Sequence, residues 1–196
     1  NMKGRYNAIG SLSLQNICRE IRHTIAGDFY DDIDVINCHP VILDFMCQEH
    51  NFIHENLKFY NSNREACLGE LDIPRDDAKN LFLQTINGGF SAYNKLKNKS
   101  EFLIKFKKEI EILRDCFSKI YKEDFDNFSI KKKKEGVSYN LKSKFLSTLL
   151  CDFENKILMK MYEFYGSPNN CVLCFDGIML LKDGTTDRRL TDCELF

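Results

Sequence analysis

The stretch Arg75-Asp-Asp-Ala-Lys79-Asn-Leu-Phe-Leu-Gln-Thr-Ile-Asn87-Gly88-Gly89 constrains this chain more than any other. Arg75, Lys79, Leu83 and Asn87 follow one another at steps of four. Each step drifts by roughly 40° on a helix of about 3.6 residues per turn, so the four side chains share one broad face. Pro74 suits the opening of that helix. Gly88-Gly89 suits its end, because glycine accepts the left-handed cap conformation. Two cations lie toward the N-terminal end, where the helix dipole also favours anions, and that arrangement suits a triphosphate. An exposed amphipathic helix with a glycine stop satisfies the same residues, so the rest of the chain must decide.

The flanking sequence reads as helices around a few strands. Residues 11–26 read as a short loop and a helix, with Ile17, Ile21 and Ile25 at spacing four. Residues 28–36 read as a strand in which Phe29, Ile33 and Val35 are the β-formers. Pro40 opens a helix with Val41, Ile42, Phe45 and Met46 as its apolar stripe, and a second helical stretch runs to about Leu71. Phe102, Leu103, Phe106, Ile110, Leu113, Phe117 and Ile120 repeat at three and four, which predicts a long amphipathic helix from Ser100 to Lys122. Residues 123–140 are polar and lysine-rich and read as a loop. A further helix is expected over 143–165, then a turn at Gly166–Asn170. Cys171–Leu181 reads as a hairpin with an Asp-Gly turn.

A chain of 196 residues with 43% apolar content can build one domain, or one domain with an inserted subdomain. Its net charge of −1 does not advertise nucleic-acid binding. Lysines nevertheless crowd the segment Lys95 to Lys144, including the run Lys131 to Lys134. Such a run is either a solvated loop or a strip that tracks a phosphate backbone. Nine cysteines without a signal peptide predict an intracellular, reducing compartment. Cys171 and Cys174 form a C-x-x-C inside an apolar strand, and no second pair follows at zinc-ribbon spacing, so buried thiols are expected. His50 and His54 are four apart, with Cys47 nearby, and read as helix surface. No 18-residue apolar run is present, so no membrane span is expected. Asn1-Met2 reads as a tag remnant, which suggests a piece of a longer protein.

The acidic residues carry a sharper signal. In a strand, Asp32 and Asp34 point to the same face, roughly 6.5–7 Å apart. Carboxylates are depleted in strands, and like charges on one face repel unless a cation lies between them. Asp32-Ile-Asp34 therefore points to a divalent metal. Asp176 sits at the tip of the apolar hairpin, where turn chemistry alone would also explain it. Were it to meet Asp32 and Asp34, the three could hold two Mg²⁺ or Mn²⁺ ions for an in-line phosphoryl transfer.

With these residues in place, the chain resembles the superfamily of family A DNA polymerases and single-subunit phage-type RNA polymerases, and within it the transposon–virus polymerase branch. Four segments match in order. Gly4-Arg5, Leu14-Gln15-Asn16-Ile17 and Arg22 resemble the segment before the first catalytic motif. Asp32-Ile-Asp34-Val-Ile-Asn37-Cys-His39-Pro40 resembles that motif. Arg75, Lys79 and Gly88 resemble the finger helix, and Phe175-Asp176-Gly177 resembles the hairpin with the second catalytic aspartate. The resemblance implies an α+β fold: a palm, an antiparallel sheet with helices, over about 1–50 and 140–196. Helical fingers would be inserted over about 51–139, with no thumb. It implies that Asp176 and one of Asp32 or Asp34 bind the metals, and that Arg75, Lys79, Leu83, Asn87 and Gly88 form the nucleotide site. Arg5, Gln15, Asn37 and His39 would line the primer–template.

Three departures qualify that implication: Asn87 where the family carries tyrosine, Phe175 where it carries histidine, and the missing thumb. The implied activity is a template-directed nucleotidyltransferase, a DNA polymerase or primase-polymerase of a viral or transposon replication protein. The implied partners are primer–template nucleic acid, nucleoside triphosphates and a helicase domain of the same polypeptide or complex. A viral source would place the chain in the host cytoplasm or nucleus. A second reading is an inactive polymerase-like module that binds single strands or scaffolds a replisome. A third is an unrelated helical protein with chance matches.

Overall fold

The computed structural model describes residues 5–9 and 13–182. Gly4, named in the first motif, lies outside them, as do residues 11 and 12 of the first predicted segment. The chain opens with a 3₁₀ turn (Leu14–Asn16), α1 (Arg19–Ala26), β1 (Tyr30–Asp34) and α2 (Cys38–Glu49). Then come α3 (Glu55–Ser62), α4 (Arg64–Gly69), α5 (Arg75–Asn87), α6 (Ser91–Lys95), α7 (Glu101–Ile120), α8 (Lys122–Lys134) and α9 (Leu141–Phe164). The hairpin β2 (Val172–Cys174) and β3 (Gly177–Leu181) follows. The fold is α+β, mostly helical, with one small antiparallel sheet in the order β1-β3-β2. It divides into two compact units. The first comprises the described residues of Lys3–Cys38 and Asp152–Phe196, and the second is His39–Cys151.

In the first unit the sheet is covered on both faces, which is why its central strand β3 reads as an apolar run. Ile178 and Leu180 pack with Leu158 and Tyr165 from the helix and turn that precede the hairpin. Met179 points the other way, to Ala26, Cys174 and the flanking Leu14, Tyr30 and Val172. The stripe expected on α1 behaves differently. Ile21 and Ile25 are exposed, and Ala26 is the buried residue of that helix.

The second unit is a helical assembly built around aromatic contacts. Tyr60 of α3, Phe82 of α5 and Phe106 of α7 are fully buried, and their ring centroids lie 4.6, 5.3 and 5.2 Å apart pairwise. Offset and edge-on rings at such distances add specificity to the area they bury. The predicted loop over 123–140 is corrected: Lys122–Lys134 is helical. Glu123 and Asp124 stand in its first turn and four lysines in its last, so the helix dipole favours both ends. Phe125 and Phe128, three apart, both pack edge-on against Phe145 of α9. Gly136, at φ 78°, follows the end of the helix. The histidine reading is also corrected. His50 and His54 do not share a helix, because α2 ends at Glu49 and α3 begins at Glu55. His54 is buried, with its ring nitrogens 2.6 Å from Phe52 O and 2.6 Å from Asp44 Oδ1.

Helix α5 ends in Gly88 at φ 85°, the left-handed conformation expected of it. A Cβ there would stand 2.1 Å from Ser143 Cβ, and the Gly88 carbonyl accepts from Asn140 Nδ2 at 2.8 Å. Both strain and overlap oppose a side chain. Gly88→Ala is expected to cost about 1–3 kcal/mol, read as a lower urea midpoint with an unchanged slope. A midpoint equal to that of the parent would mean that this contact is not tight.

Candidate functional site

The first unit places Asp32 in the middle of β1, Asp34 at its end and Asp176 in the hairpin loop. Strand β1 pairs antiparallel with β3, so Asp32 lies opposite Met179 and Asp34 opposite Gly177. Strand β2 pairs Cys174 with Gly177, which leaves Phe175 and Asp176 as the two-residue loop. The expected Asp-Gly turn is thus corrected to a Phe-Asp turn, with Phe175 at φ 55° and Gly177 already in the strand. The glycine has another reason to be there. A Cβ on it would lie 2.1 Å from Asp34 Oδ1 and 2.7 Å from the Ile33 carbonyl. Glycine at this position lets β1 come close enough to bring Asp34 beside the loop, and Val35 N donates to Asp176 O at 2.8 Å.

The three aspartates differ in surroundings. The side chain of Asp32 is 8% exposed, and its Oδ2 lies 2.9 Å from His23 Nε2 and 3.4 Å from Arg22 Nη2. Its Oδ1 is buried with no hydrogen-bond partner among the described residues. Asp34 is exposed at the end of β1, yet partial desolvation of its carboxyl raises it above the ordinary aspartate range, and the charges of Asp32 and Asp176 push it further against Arg19 and Arg22. Asp176 presents a carboxylate oxygen within 4.8 Å of Cys38 Sγ and of a Glu154 oxygen, whereas Asp32, Asp34 and Asp176 do not converge to that distance as a set of three. Glu154 is 1% exposed and takes a forked ion pair from Arg5, with Nε at 2.6 Å and Nη2 at 2.9 Å. The Arg5 guanidinium also lies 5.0 Å from the centre of the Phe175 ring, so it ties the hairpin loop to α9. Nothing local marked Glu154 in the sequence, since its partner is 149 residues away.

The remaining candidates have different surroundings. Gln15 is buried and places its amide on backbone, accepting from Ala8 N at 2.7 Å and donating to Tyr6 O at 3.1 Å and Leu173 O at 2.8 Å. Asn37 takes a left-handed conformation, φ 55°, just before α2. In the second unit His39 is buried in the first turn of α2. Arg75, Lys79, Leu83 and Asn87 all lie on α5, as their spacing requires. Arg75 forks onto Glu65, at 2.8 and 2.6 Å, and Asp76 and Asp77 share the first turn of the helix. Those carboxylates already answer the cationic end that suited a triphosphate. Asn87 Nδ2 donates back to the Leu83 carbonyl at 3.0 Å.

A carboxyl raised in the folded state holds its proton more tightly folded than unfolded. The folded state is therefore penalised by this charge above its folded pKa and relieved as pH falls through it. In metal-free buffer Asp34→Asn is expected to be more stable than the parent at pH 7. The gap should close on acidification toward the ordinary aspartate range. Thermal melts from about pH 4 to about pH 8 check this, and a gap that widens as pH falls would refute it.

No protein-family profile matches the chain, and no solved structure matches it. One relative does: a protein of Sputnik virophage named "Putative helicase V13", 34% identical over 98% of this chain. The chain spans about a quarter of that protein's length, 26%. This finding corrects the activity expected from motifs. A relative aligned along nearly the whole chain carries a helicase name, so the DNA polymerase, nucleotidyltransferase and primase assignments are set aside.

Proposed function

We propose that this chain is a nucleic-acid-handling region of a helicase-type viral replication protein. The observation that carries the reading is the 34% identity over 98% of the chain to the virophage protein with the helicase name. Unwinding is what the virophage protein's name attributes to that whole protein, of which the chain spans about a quarter, 26%. The sequence contains no G-x-x-x-x-G-K-[ST] phosphate loop, whereas cations outnumber carboxylates about two to one between residues 91 and 144. What the chemistry supplies best is a grip on the phosphate backbone. Helix α8 concentrates that charge in its last turn, at Lys131, Lys132, Lys133 and Lys134. No helix among the described residues is long and apolar enough to cross a membrane.

The sheet adds a second component. We read it as palm-like in fold, with Asp34, Asp176 and Asp32 as a site for Mg²⁺ or Mn²⁺. The buried Asp32 Oδ1 without a partner and the raised Asp34 carboxyl fit a divalent cation, which relieves both. Such an ion would offer phosphate oxygens a Lewis-acidic contact.

Two measurements test these readings. Fluorescence anisotropy with single-stranded and forked DNA should show binding that weakens at least about tenfold between about 50 and 200 mM salt. Replacing Lys131–Lys134 with glutamine should weaken it further. A parent chain that binds no DNA at low salt ends the proposal. Separately, millimolar Mg²⁺ should raise the parent's melting temperature by about 2–6 °C, and Asp34→Asn and Asp176→Asn should abolish the rise. An equal rise in all three proteins would place the ion elsewhere.

A further inference from the structure

We propose that the connection between α5 and α7 is a platform for single-stranded nucleic acid, on which Phe90 and Tyr93 stack bases while Lys99 and Lys107 meet the backbone phosphates. This rests on the nucleic-acid reading above and adds its ligand class and its residues.

The observation is a concentration of cations on two partly exposed rings. Lys99 Nζ lies 5.1 Å and Lys107 Nζ 5.2 Å from the centre of the Tyr93 ring. Lys107 Nζ lies 5.0 Å and Arg114 Cζ 5.5 Å from the centre of Phe90. Lys107 pairs with Glu111, and Lys99 Nζ donates to the Leu96 carbonyl at 2.8 Å. Arg114 is buried and donates to the Thr85 and Ile86 carbonyls at the C-terminal end of α5. One carboxylate against three cations leaves positive charge beside the π-faces. Arg114 and the Gly88 cap also fix the end of α5, so Phe90 is presented from a rigid point.

A single strand is the ligand whose parts match this arrangement. It carries phosphates for the ammonium groups and unpaired flat bases for the rings. A duplex keeps its base faces stacked inside, and a mononucleotide offers one base to two rings. The cation–π contacts do not block the site. They are weak where water reaches them, and a flexible lysine can leave a ring for a phosphate without moving the backbone. Lys95 and Lys97, exposed beside the platform, extend the charge along the path a strand would take.

Anisotropy of the 196-residue chain with labelled oligo(dT) of about 20 nucleotides, a blunt duplex of the same length and dTMP as competitor tests this. Tyr93→Ala should weaken oligo(dT) binding about tenfold, with duplex binding and the melting temperature unchanged. Tyr93→Phe should restore it. Lys99→Gln should lower the salt slope on the strand by about 0.7. Strand binding that is intact in Tyr93→Ala overturns the platform and leaves the nucleic-acid reading standing. Equal competition by dTMP, mole for mole of nucleotide, overturns it in favour of a mononucleotide pocket. A parent that binds neither DNA overturns the platform together with the reading beneath it.

Discussion

The antiparallel pairing of β1 with β3 is the contact on which the acidic site depends. It joins Asp34 to Gly177 across 143 positions of sequence, and loop closure of that length is entropically unfavourable before any contact rewards it. What makes the pairing productive is the missing side chain at Gly177. Any Cβ there would collide with Asp34 Oδ1 and the Ile33 carbonyl. The same vacancy that seats the strand thus brings one carboxylate beside another. Structural close packing and electrostatic repulsion are consequences of one backbone approach.

That repulsion is managed unevenly. Asp32 is answered by Arg22 and His23, and Glu154 by the Arg5 fork. Both pairs are partly or wholly withdrawn from water, where removing one partner strands a charge. Asp34 receives less: the charges of Arg19 and Arg22 lower its pKa, yet partial desolvation and two carboxylates outweigh them. The unit has compensated its deeper acids internally and left the acid at the strand's open end raised.

Much of the fold was legible because it follows local periodicity. The spacing of Arg75, Lys79, Leu83 and Asn87 gave α5, and the apolar seam of Phe106, Ile110, Leu113 and Phe117 gave α7. The carboxylates could be placed on one strand face by period two alone. The failures are equally physical. Composition alone makes Lys131–Lys134 look like a loop, whereas the helix dipole makes the same lysines a favourable last turn. The hairpin turn was shifted by one residue because Asp-Gly is a strong turn signal and Phe at φ 55° is not. Glu154 was invisible because its meaning lies in Arg5, and no local pattern encodes a partner so far away.

The activity was the least legible property, for a related reason. Short motifs report a local geometry, such as a strand with two aspartates or a helix with two cations, and geometry of that kind can serve any protein that handles phosphates. The helix illustrates the point. Arg75 stands where a triphosphate would suit it, yet its fork is closed on Glu65 and two aspartates share its turn. The lysine-rich segment is only partly neutralised: Lys105, Lys107, Lys122, Lys132 and Lys142 pair with carboxylates of the same stretch, yet positive charge is in excess between residues 91 and 144 while the whole chain stays at −1. Cations outnumber carboxylates about two to one in that stretch, whereas carboxylates outnumber cations over the rest of the chain. Holding a polyanion needs many weak, exchangeable cationic contacts, whereas holding a divalent ion needs a few fixed carboxylates. Charge summed over a stretch averages many residues, so it constrains what a region can hold more than one short motif constrains what it catalyses.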